Sequence, residues 1–102
     1  MRIHFTRSGG FTGMKLSTAL NTEELPPEQA AEVDKLVGEA AFFELPERLL
    51  PERPQPDRFH YQVTVEAGEK SRSVECSEAT VPDSLRPLLN YLTTYAMVDR
   101  KR

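Results

Sequence analysis

Apolar and polar residues alternate from the first positions of the chain. Ile3 and Phe5 fall in one phase and Arg2, His4 and Thr6 in the other, the period of a half-buried strand. After Ser8-Gly9-Gly10-Phe11-Thr12-Gly13 the alternation resumes, with Met14, Leu16 and Leu20 set against Lys15, Ser17 and Ala19. Glycines between two alternating runs predict a hairpin loop. Pro26 and Pro27 then open a helix, where a missing N–H costs nothing. Ala30, Val33, Leu36, Val37, Ala40 and Ala41 follow at the spacing of one helical face, and Glu23, Glu24 and Glu28 sit near the N-terminus that the helix dipole favours for acids. Phe42, Phe43 and Leu45 close this unit as an apolar clamp.

Pro46, Pro51, Pro54 and Pro56 predict an extended surface connection up to Asp57, with Leu49 and Leu50 folded back onto the core. Phe59, Tyr61, Val63 and Val65 next share one face against His60, Gln62, Thr64 and Glu66, the clearest strand of the chain. Ala67-Gly68-Glu69 turns it, and Val74 and Cys76 form the inner face of the returning strand. Asp83 or Ser84 caps a second helix with Pro87 in its first turn, and its stripe is Leu85, Leu88, Leu89, Leu92, Tyr95 and Ala96. The order is ββαββα. The expected fold is α+β, a four-stranded antiparallel sheet with two helices packed on one face, as a single domain over residues 1–102.

Composition agrees with a folded chain: 38% apolar and 28% charged residues are globular values, and 102 residues hold one modest core. The net charge of -3 is unevenly spread. Residues 1–20 carry Arg2, Arg7 and Lys15 and no carboxylate, while residues 21–57 hold ten acids against Lys35, Arg48 and Arg53. The first hairpin is thus a cationic patch that suits an acidic partner surface. Three charges do not make a nucleic-acid footprint, so no nucleic acid is expected. No apolar run approaches a membrane span, and the alternating start has no signal-peptide core, so the expectation is a cytoplasmic protein with no membrane partner. Cys76 is the single cysteine, which excludes an internal disulfide.

Candidate chemistry is sparse. His4, His60, Cys76 and scattered carboxylates show no metal-ligand spacing, and both histidines fall on outer strand faces, where they are read as surface residues or as cross-strand neighbours. Cys76 points to the core beside Val74, where a thiol behaves as a small hydrophobe. Ser8 has no base nearby in sequence, and Glu23-Glu24 is explained by a solvated helix start. No cofactor and no enzymatic activity are expected. Gly9, Gly10 and Gly13 are no phosphate cradle, because a strand follows where a helix N-terminus is needed. They either supply positive φ to an ordinary turn or present Phe11 at a tip supported by Arg7 and Lys15. In the first case Phe11 folds over the end of the core; in the second it anchors a partner. Pro51-Glu52-Arg53-Pro54 is formally a PxxP ligand but reads better as a rigid connection.

Several segments together resemble the protealysin inhibitor emfourin family. They are Met1-Arg2-Ile3-His4-Phe5-Thr6-Arg7-Ser8-Gly9-Gly10-Phe11-Thr12-Gly13, Glu24-Leu25-Pro26-Pro27, Phe42-Phe43-Glu44-Leu45-Pro46, Asp57-Arg58-Phe59-His60-Tyr61 and Leu85-Arg86-Pro87-Leu88-Leu89. The resemblance runs nearly the full length. It implies a bacterial protein inhibitor of protealysin-like enzymes, which are zinc metalloproteases of the thermolysin family, with the zinc belonging to the partner. The protease-binding residues inferred from this sequence are Arg7, Ser8, Gly9, Gly10, Phe11, Thr12, Gly13 and Lys15. The Ser8–Gly13 hairpin would occlude the substrate cleft, with Phe11 in the pocket for the bulky apolar residue after the cleaved bond, and the free inhibitor is expected to be a monomer. A non-inhibitory adaptor that pairs through an exposed sheet edge, and a carrier holding a small ligand, are the other classes.

Overall fold

In the computed structural model, which describes residues 1–10, 15–51, 53 and 58–100, the two predicted strand pairs form and join into one sheet. β1 (Arg2–Gly9) pairs antiparallel with β2 (Leu16–Asn21) on one side and with β4 (Phe59–Ala67) on the other. β5 (Lys70–Ser77) pairs antiparallel with β4. Gly68, at φ 62, makes the two-residue turn between them possible, since positive φ costs glycine nothing. α1 (Pro27–Glu39) follows β2, and α2 (Arg86–Arg100) ends the chain, with Pro27 and Pro87 in their first turns as expected.

One side of the sheet is buried. Ile3, Phe5, Leu16, Leu20, Val63, Val65, Val74 and Cys76 join Val33 and Val37 of α1, Ala40 just after it, and Leu85, Leu88, Leu89, Leu92 and Ala96 at α2, in a single cluster. The other side carries His4, Ser17, Ala19, Gln62, Glu66, Ser71 and Ser73, all exposed, which is the ordinary design of an antiparallel sheet covered on one face. Ala41 departs from the predicted helical face: at φ 48 it leaves the helix and turns the chain so that Phe42 is buried, edge-on to Phe43 at 6.1 Å.

The expected four-stranded, purely antiparallel sheet is corrected to a five-stranded mixed one in the order β2-β1-β4-β5-β3. The added strand, β3 (Arg48–Leu49), lies between Pro46 and Pro51, where the prolines predicted no regular structure. It pairs in parallel with β5, Arg48 opposite Glu75 and Leu49 opposite Cys76, and the Glu47 carbonyl accepts from Glu75 N at 2.8 Å. An edge strand tolerates flanking prolines because its outer N–H groups need no partner. Thr80 Oγ1 donates to the Leu49 carbonyl, and Leu49 packs on the core, as its folding-back was expected to do. Arg72 Nη1 donates to the Leu45 carbonyl at 3.0 Å and ties the same connection to β5.

Candidate functional site

Backbone geometry first marks out the end of the sheet where the β1–β2 connection begins. Among the described residues, β1 pairs with β2 as far as Arg7–Leu16 and with β4 through Ser8 and Gly9, opposite His60 and Phe59. Ser8 and Gly9 are therefore strand residues, and the connection proper starts at Gly10. Gly9 and Gly10 lie at φ 86 and 78, a region that L side chains rarely adopt. A Cβ on Gly9 would stand 2.7 Å from the Arg58 carbonyl oxygen, and one on Gly10 would stand 2.8 Å from the Phe59 ring. Gly10 N donates to that same Arg58 carbonyl at 3.2 Å. Both glycines are thus required where the first connection meets the entry to β4.

Side chains then build a platform at this end. Arg7 keeps the phase of Ile3 and Phe5, so it lies on the helix-covered side of the sheet, half-buried, with its guanidinium 4.2 Å from the centre of the Phe59 ring. Phe59 packs against Tyr61 at 6.4 Å, and Tyr61 against the buried Phe5 at 6.3 Å, so a row of rings leads from the core to Arg7. Burial raises the Tyr61 hydroxyl above its usual pKa, against the opposing influence of Arg7. Glu78 clamps the start of β4. Its Oε1 accepts from Phe59 N at 3.1 Å, its N donates to the Phe59 carbonyl at 2.8 Å, and its Oε2 lies 3.6 Å from Arg58.

Arg7, Ser8, Gly9 and Gly10 are thus gathered at one end, Ser8 on the open side of the sheet and Arg7 on the other, and Lys15 is exposed where the chain returns to β2. Phe11, Thr12 and Gly13 lie outside the described residues. Arg58, Phe59, Tyr61 and Glu78 are neighbours of the site that the periodicity did not select, because Phe59 and Tyr61 read as ordinary inner-face residues. A signal was present: Arg7 is a charged residue in apolar phase, which places the outer limit of the core between Phe5 and Arg7.

The single cysteine is not an activated nucleophile. Cys76 is buried and its thiol is pushed up to about 11, by burial first and Glu75 second, which keeps it protonated and unreactive at neutral pH. His60 and His4 are not cross-strand neighbours, since His60 faces Ser8 and His4 faces Thr64. His60 Nε2 instead meets Glu75 Oε1 at 2.8 Å, with Arg48 Nε 3.8 Å from the other Glu75 oxygen. Among the described residues, no three side chains of metal-ligating type come together, and no helix is long and apolar enough to cross a membrane.

The described residues of the site are the bases of two adjoining connections, with a cationic and aromatic surface between them, an arrangement suited to contact. No curated protein and no solved structure matches the chain. The family described as Emfourin matches residues 5–93, which takes in Arg7–Gly10, Arg58–Tyr61 and the leucine stripe of α2. The chain belongs to the Emfourin family, proteinaceous inhibitors of protealysin-like metalloproteases that are not themselves enzymes.

Proposed function

We propose that this chain blocks the substrate cleft of a protealysin-like zinc metalloprotease with the Ser8–Gly13 hairpin, Phe11 filling the pocket that takes a bulky apolar side chain after the scissile bond. The observation that supports this reading most is the pinning of Gly9 and Gly10 against Arg58 and Phe59. A loop whose base is already ordered loses less conformational freedom on binding, so more of its contact energy appears as affinity. The test is titration of a protealysin-like metalloprotease with the purified chain, following peptide hydrolysis. Cleft occlusion predicts inhibition that substrate relieves competitively, and inhibition insensitive to substrate concentration would move the contact to an exosite. An adaptor pairing through a sheet edge is the second reading, favoured by β2, a six-residue edge strand. It predicts a complex in which peptide hydrolysis proceeds unchanged.

A further inference from the structure

We infer that Arg7, set over the Phe59 ring, is the residue that receives a carboxylate of the metalloprotease, so that the contact surface extends from the hairpin onto the start of β4. The inference rests on the inhibitory reading above and adds to it a specific polar contact. Three observations lead to it. The first is the stack itself, with the guanidinium 4.2 Å from the Phe59 centroid, which orders a side chain that otherwise loses much rotamer freedom when it binds. The second is the ring row Phe5–Tyr61–Phe59, which fixes that platform to the core and not to a loop.

The third observation is charge. Among the described residues no carboxylate lies within ion-pair distance of Arg7, whereas Arg58 has Glu78 at 3.6 Å and Arg86 has Asp83 at 3.4 Å. With Lys15 exposed at the return of the hairpin, the described residues at this end keep a positive surplus. A guanidinium whose carbon sits over one ring has five N–H donors, and a pair of them matches the two oxygens of a carboxylate. The partner chemistry that fits is therefore an acidic side chain beside the protease cleft.

The experiment measures association and dissociation rates with a protealysin-like metalloprotease, together with a thermal midpoint, for the parent, Arg7→Gln and Arg7→Lys. A direct contact predicts that Arg7→Gln leaves the midpoint in place and dissociates about tenfold faster or more, with association changed less. Arg7→Lys should recover only part of the loss, because a point charge on a flexible stem reproduces neither the stack nor the paired donors. Parent-like rates for Arg7→Gln would overturn the inference and leave the inhibitory reading intact. Full recovery by Arg7→Lys, with changes confined to association, would reduce Arg7 to long-range steering. A lowered midpoint with normal inhibition by the folded fraction would make it a cover for Phe59. A parent that inhibits no such protease defeats the inhibitory reading itself, and the inference with it.

Discussion

At the scale of single residues, two glycines separate two reasons for needing glycine. Gly68 has positive φ and open space around its Cβ position, so Gly68→Ala carries the backbone cost alone, about 1 kcal/mol. Gly9 adds a collision with the Arg58 carbonyl oxygen, which the Gly10 N–H already holds beside β1, so strain and overpacking combine and Gly9→Ala should cost about 2–5 kcal/mol. Denaturation midpoints of the two variants check the contrast, and equal losses would show that the Gly9–Arg58 approach has no energetic weight. Cys76 supplies a residue-level pH dependence. Its folded-state pKa of about 11 exceeds its ordinary value of 9.0, so the folded state holds a proton that the unfolded chain releases. The thiol's contribution is complete below pH 9 and is lost as pH rises toward 11. Unfolding free energy measured across that window should fall more steeply for the parent than for Cys76→Ala; parallel slopes would contradict the assignment.

At the scale of elements, α2 carries much of the core. Leu89 lies in the middle of its buried stripe, and Leu89→Ala should cost ~2–5 kcal/mol through the cavity it leaves. An unchanged denaturation midpoint would place that stripe in solvent. Both helices and four strands were legible because each carries one apolar phase at its own period, and a prolonged period is hard to mimic by chance. β3 was not legible for the opposite reason. Two residues carry no period, the flanking prolines argue against a strand, and its partner β5 lies beyond a further hairpin in sequence. The hairpin half of the site could be read from Arg7 and the glycines. The β4 half could not, because the phase that marks Phe59 and Tyr61 as inward says nothing of how far the helices extend over the sheet.

At the scale of the molecule, charge and packing are both unevenly distributed. Acidic side chains dominate the exposed face of α1, with Glu28, Glu32, Asp34 and Glu39 in solvent, while the hairpin end holds Arg7 and Lys15 beside the Arg58–Glu78 and Arg86–Asp83 pairs. The core thins toward that same end, from the fully buried Phe5 to the half-buried Tyr61 and Phe59. A chain of this size presents a partner with few features, and this end combines ordered backbone, aromatic surface and positive charge. The proposed mode of inhibition requires that the hairpin itself enter the protease cleft. The measurement that bears on it most directly is the inhibition constant of Phe11→Ala toward a protealysin-like metalloprotease, taken with its thermal midpoint. Burial of a phenylalanine in a pocket predicts inhibition weakened by about ten- to a few-hundred-fold with the midpoint retained. Parent-like inhibition by a fully folded Phe11→Ala would remove the hairpin tip from the contact, and the proposed mode of inhibition with it.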